Sequence, residues 1–80
     1  MYIIDDVSET SLSQVTLMLD AADIKQMIFD LEQLLENKDD PNYHCHISDA
    51  SYQKEITVCL LDKNDTNYVP FIKAIIAAES

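Results

Sequence analysis

Residues 43–62 read YHCHISDASYQKEITVCLLD. Tyr43, Cys45 and Ile47 alternate with His44 and His46, and Ile56, Val58 and Leu60 alternate with Glu55, Thr57 and Cys59. Strand side chains project to opposite faces with a period of two, so each apolar trio shares one face and its polar neighbours the other. Ser48-Asp49-Ala50-Ser51, between the two runs, is rich in side chains that bond their own backbone and start turns. The stretch predicts an antiparallel strand pair with one apolar face. Its open face carries His44, His46, Glu55 and Thr57, and Cys59 can share it.

Before this pair, Asp20 marks a boundary. Its carboxylate can cap the first N–H groups of a helix, and Asp23 suits the positive end of the helix dipole. Ile24, Met27, Ile28, Leu31, Leu34 and Leu35 then recur at spacings of three and four, which predicts an amphipathic helix with these residues on its packed face. Lys25, Gln26, Glu32, Gln33 and Glu36 take the other face. Phe29 falls among them, about 140° from Ile24. Asn37-Lys38-Asp39-Asp40-Pro41-Asn42 ends the helix, because the residue before proline avoids the α region.

At the start of the chain, residues 2–7 predict a first strand with Tyr2, Ile3, Ile4 and Val7 as its apolar content. The polar stretch 8–13 predicts a turn. Val15, Leu17 and Leu19 alternate with Gln14, Thr16 and Met18, predicting a second strand over 14–19 that pairs with the first. At the far end, residues 62–67 read as a loop and residues 68–79 as a helix. Asn67 or Thr66 is expected to cap that helix, with Pro70 in its first turn. Tyr68, Val69, Phe71, Ile72, Ile75 and Ile76 make it apolar almost all round, so it is either buried on several sides or covered by a partner such as a second copy. The expected fold is α+β, one antiparallel sheet with helices packed on it, in the order ββαββα, as a single domain over residues 1–80.

Charge is the strongest compositional signal. The 80 residues hold 15 Asp plus Glu against 5 Lys plus Arg, all five of them lysine, for a net charge of −10. Such a surface repels phosphate backbones and argues against nucleic-acid binding. Without arginine there is no forked donor for phosphate or carboxylate. A field of this sign steers docking onto a basic protein, or it simply keeps a small protein dispersed. No apolar run is long enough for a membrane span, and the opening Met1–Asp6 lacks the positive stretch of a secretory signal, so the cytoplasm is the expected compartment. Cys45 and Cys59 then read as small apolar side chains, not a disulfide framework.

Several chemistries are unsupported. The chain has no glycine, and phosphate-cradling loops, dinucleotide turns and nucleophile elbows all need it. Cys45 lies between His44 and His46, but neighbours on a strand point apart, so neither ring can activate it. His44 and His46 project the same way at about 6.6 Å along a strand, a workable span for one metal ion. Glu55 or Cys59 could add a third ligand, yet no regular Cys/His spacing is present. The plainer expectation has the histidines bonding across to Glu55 or Thr57, with no metal and no cofactor. Phe29 beside Glu32, Glu36, Asp39 and Asp40 is the first candidate surface for a basic partner, unless the last helix covers Phe29. His44, His46 and Glu55 form the second.

The order Leu19-Asp20, Asp23-Ile24 and helix, then the His44-x-His46 strand, then Lys54-Glu55-Ile56-Thr57-Val58, resembles the small immunity proteins of bacterial polymorphic toxin and contact-dependent growth inhibition systems. The similarity covers roughly residues 14–61. Where those proteins carry a glycine-rich turn, this chain has Asp49-Ala50-Ser51-Tyr52. The resemblance implies a non-enzymatic inhibitor that binds a cognate toxin tightly, and a basic toxin, such as a nuclease, would suit the charge. The alternatives from other classes are a metal- or ligand-binding regulatory module on the open strand face, and an acidic subunit of a homo-oligomer joined through the 68–79 helix.

Overall fold

A computed structural model describes residues 1–49, 51, 53–62, 64 and 67–79. The chain runs β1 (Ile3–Asp5), β2 (Thr10–Leu12), α1 (Ala21–Glu36), β3 (His44–Ser48), β4 (Glu55–Cys59) and α2 (Pro70–Glu79). The α+β class and the order ββαββα are those the sequence predicts. The strands form two separate two-stranded antiparallel sheets, β1 with β2 and β3 with β4, in place of one. Each pair is closed by a local hairpin, which costs the least loop entropy. By its contacts the chain divides into two units, Met1–Leu17 with Lys63–Ser80, and Met18–Asp62.

In the second unit α1 starts as expected. The Asp23 N–H donates to Asp20 Oδ1 at 2.8 Å, and the Asp20 N–H donates back to Asp23 Oδ2 at 3.3 Å. This reciprocal capping box satisfies two backbone donors that a helix start otherwise leaves open. The helix stops at Asn37, whose backbone N–H and side-chain Nδ2 both donate to the Gln33 carbonyl, at 3.0 and 2.8 Å. Pro41 comes too late to be the direct stop. The following turn is tied by Asp40, whose Oδ1 accepts the Asn42 N–H and whose carbonyl accepts the Tyr43 N–H.

The β3–β4 register pairs His44 with Cys59, Cys45 with Val58, His46 with Thr57, Ile47 with Ile56 and Ser48 with Glu55. Cys45 and Ile47 are buried, Ile56 and Val58 partly so, and His44, His46, Glu55, Thr57 and Cys59 are exposed. The alternation read from sequence is thus the pleat of the hairpin from Cys45 to Ile47 and from Ile56 to Val58, while Tyr43 and Leu60 fall outside the strands and Leu60 is exposed. Asp49 organises its turn. Its Oδ1 accepts the N–H groups of Gln53 and Lys54, and its Oδ2 the Ser51 hydroxyl. Ala50 and Tyr52, part of the predicted turn, lie outside the described residues. Helix α1 packs on β3, where the Cys45 thiol donates to the Asp30 carbonyl at 3.2 Å. Leu34, Cys45 and Ile47 are the buried apolar side chains among the described residues.

The packed face of α1 is narrower than its sequence suggests. Leu34 is buried and Met27 partly buried, but Ile24, Ile28, Leu31 and Leu35 stay 40% to 65% exposed. Two strands about 4.8 Å apart cannot cover so broad an apolar arc on a helix about 10 Å across.

The other unit departs further from expectation. Strand β1 is shorter than residues 2–7, with Val7 exposed in the turn, and β2 is Thr10–Leu12, not 14–19. Ile3 pairs with Leu12, Ile4 with Ser11 and Asp5 with Thr10. The reason lies in Asp5. Its Oδ1 accepts the Val7 and Ser8 N–H groups at 2.9 and 3.3 Å, and its carbonyl accepts the Glu9 N–H at 2.8 Å. The chain therefore reverses within residues 6–9, through Glu9 at φ 58°. A left-handed backbone there suits glycine, and this chain has none to offer. Residues 14–19 belong to no strand, and Val15, Leu17 and Met18 are exposed.

Helix α2 begins at Pro70, with the Val69 carbonyl accepting the N–H groups of Ile72 and Lys73. Asn67 sits too far ahead to be its cap, and Thr66 is outside the described residues, as are Lys63 and Asp65 of the predicted loop. Phe71, Ile72, Ile75 and Ile76 are half-buried, while Lys73, Ala74, Ala77 and Ala78 are exposed. The Ser11 hydroxyl donates to Glu79 Oε2 at 2.6 Å, joining β2 to the last turn of α2.

Candidate functional site

Phe29 lies about 140° around α1 from Leu34, on the side away from the β3–β4 hairpin, with Glu32 and Glu36 within about 60° of it. Phe29 is 56% exposed, and both glutamates are exposed. Asp39 and Asp40 continue the acidic surface in the turn beyond the helix, also exposed. No basic residue stands in the last turn of α1, so the partial negative charge of the helix end adds to theirs. Helix geometry thus puts Phe29, Glu32 and Glu36 of the first predicted group on one side of α1, with Asp39 and Asp40 following in the turn, where Asp40 also holds the backbone.

His44, His46 and Glu55 share the open face of the hairpin. His46 Nδ1 lies 2.6 Å from Glu55 Oε1 and 3.1 Å from Thr57 Oγ1. An ionised carboxylate only accepts, so the short contact places the proton on Nδ1. His44 Nδ1 donates to the Asn42 carbonyl at 2.9 Å, and the two rings meet edge to face at 4.7 Å. The cross-strand contacts expected of the histidines are made by His46, whereas His44 bonds the backbone of its own segment at Asn42. His46 and Glu55 keep about half their side-chain surface in water, which limits the pair to about 1 kcal/mol or less. Among the described residues, no group of three or more His, Cys, Asp and Glu is placed to hold a metal ion.

The two candidate surfaces look in opposite directions. Helix α1 covers the Cys45 and Ile47 side of the hairpin, leaving the histidines on the far side. A single flat partner surface cannot touch both.

Cysteine chemistry is damped by burial. Desolvation first, then the Asp30 carboxylate and Cys59, push the Cys45 thiol above its ordinary range, so it is held as a neutral thiol and a poor nucleophile. Cys59 stands opposite His44 in the register. An open cleft of about 190 Å³ lies between Leu19 and Asp23 at the start of α1 and Ile47, Ser48, Lys54 and Ile56 of the hairpin. It is smaller than the roughly 300–1,000 Å³ of small-ligand pockets.

The sequence reading missed the outward apolar residues of α1. Ile24, Ile28, Leu31 and Leu35 were assigned to the packed face, yet their arc was already wide for a single strand pair to cover. No family model, curated protein or solved structure matches this chain. Among the described residues, no helix is long and apolar enough to cross a membrane.

Proposed function

We propose that this chain is a non-enzymatic binding protein that masks a basic protein partner, in the manner of a cytoplasmic immunity protein bound to a bacterial toxin domain. The observation that carries this reading is the exposed Phe29 beside Glu32 and Glu36 on the outer side of α1, with the exposed Asp39 and Asp40 following in the turn beyond the helix. Carboxylates steer a basic partner, and a half-exposed aromatic anchors it once water is excluded. The net charge of −10 extends that attraction over the whole chain. Among toxin activities a nuclease fits best, since it must present a basic surface to its own substrate.

The test is binding kinetics against the product of the reading frame directly upstream, with growth rescue in cells expressing it. Glu32→Lys with Glu36→Lys is expected to slow association about tenfold at low salt. Phe29→Ala should mainly accelerate dissociation, by about thirtyfold for a hot-spot loss of roughly 2 kcal/mol. Failure to rescue growth, or association indifferent to salt and to both reversals, would sink the proposal.

A further inference from the structure

Four apolar side chains to one side of Leu34 on α1 keep 40% to 65% of their surface exposed. Ile24, Ile28, Leu31 and Leu35 follow one another at steps of four, three and four, so that 24 to 31 and 28 to 35 are whole heptads. This is the spacing at which one helix receives another in knobs-into-holes packing. The four span about 60° of arc, centred about 90° from Leu34, and all are at least 40% exposed. Within the Met18–Asp62 unit α1 packs on β3, and Leu34 is the buried residue of the helix, while this seam stays exposed. Glu32 and Glu36 border the seam on the solvent side, with Lys25 between them in projection. The edge therefore carries two carboxylates to one ammonium.

We infer that this outer seam receives an amphipathic helix of the partner, whose apolar stripe lies on Ile24, Ile28, Leu31 and Leu35 and whose lysines or arginines meet Glu32 and Glu36. The inference rests on the masking function proposed above and names the partner's chemistry. Charge decides between the candidate occupants. A second copy would bring another acidic edge, and another net −10, against this one, whereas a basic helix neutralises the carboxylates as its apolar side is buried. Glu32 and Glu36 lie between this seam and Phe29 around the helix, so the same carboxylates border both.

The test uses the full chain and a synthetic three-heptad peptide, with leucine at its a and d positions and lysine flanking them, against the same peptide with glutamate in place of lysine. In the wild-type protein, methyl NMR signals of Ile24, Ile28, Leu31 and Leu35 should shift on adding the lysine peptide, ahead of those of Leu34 and Ile47. The glutamate peptide should bind at least tenfold more weakly. Ile28→Gln with Leu35→Gln should weaken the lysine peptide at least tenfold, with an unchanged urea midpoint. Shifts confined to the neighbourhood of Phe29, equal binding of the two peptides, or a marked fall in that midpoint would overturn the inference. So would a wild-type dimer in sedimentation that the same double variant dissolves, since the second copy would then be the occupant. Growth rescue reports on the masking function separately. A variant pair that rescues growth normally while the wild-type methyl signals stay still discards the helix and keeps the masking.

Discussion

The two hairpins of this molecule are built on different grounds. The β3–β4 hairpin has five cross-strand pairs with alternating burial, and Cys45, Ile47, Ile56 and Val58 share its covered face. The β1–β2 hairpin has three pairs, and its second strand, Thr10–Leu12, is exposed throughout. One register is specified by a buried face, since a slip of a single residue would turn Cys45 and Ile47 into water. The other is specified by its turn, where Asp5 and Glu9 reverse the chain regardless of what the strands carry. A hydrophobic pattern foretells the first kind of pairing and is blind to the second.

The largest contrast should appear in the strands themselves. Ile47→Ala is expected to destabilise by about 2–5 kcal/mol, as a buried large-to-small change does. Leu12→Ala, at a half-exposed site, should cost less than about 1 kcal/mol. Urea unfolding of both variants measures the difference, and equal losses would mean that β2 is as deeply packed as β3.

Next in size is the start of α1, which supplies the lid on the β3–β4 hairpin. Asp20→Ala removes the acceptor of the capping box and should cost about 0.5–2 kcal/mol. An unchanged midpoint would show that the helix can begin elsewhere and that the hairpin does not depend on its placement.

Smaller still, and opposite in sign, is the effect at the β1–β2 turn. Glu9→Gly relieves a left-handed backbone at the cost of a more flexible unfolded chain, so a net gain of up to about 1 kcal/mol is expected. Destabilisation instead would mean that the turn does not need φ above zero, and the strand pairing would have to be sought in side chains after all.

The smallest expected effect compares the two turn aspartates. The N–H groups of Val7 and Ser8 hold the Asp5 carboxyl below its ordinary range, and the Lys54 N–H leads the same effect at Asp49. A lowered folded-state value means that each contributes stability above the unfolded pKa of about 3.9 and loses it as the pH falls through the folded value. Acid titration of unfolding should therefore flatten slightly in Asp5→Asn and in Asp49→Asn, below about pH 4 only. A change in the pH dependence near neutrality in either variant would assign the residue a different role.

The candidate surface divides along similar lines. Phe29, Glu32 and Glu36 were legible as an outward group from helical spacing alone, and the histidine face from strand alternation. Ile24, Ile28, Leu31 and Leu35 were not, because an apolar residue on a helix looks the same in sequence whether or not a neighbour is wide enough to cover it. Likewise Asp5 read only as part of a strand until its backbone partners were in place, whereas Asp49 already read as turn-forming.

By itself the sequence determined the elements whose signals are local and periodic: the Asp20 cap, the course of α1, the two faces of the β3–β4 pair, and the α+β class. These follow from geometry within a few residues, so the pattern and the structure coincide. Tertiary structure alone decided how many strands share a sheet, which part of the α1 apolar arc is core and which is surface, and that residues 14–19 pair with nothing as a strand. Each of those depends on what else is within reach, namely the width of a two-stranded hairpin and the ease of closing a four-residue turn against a longer one.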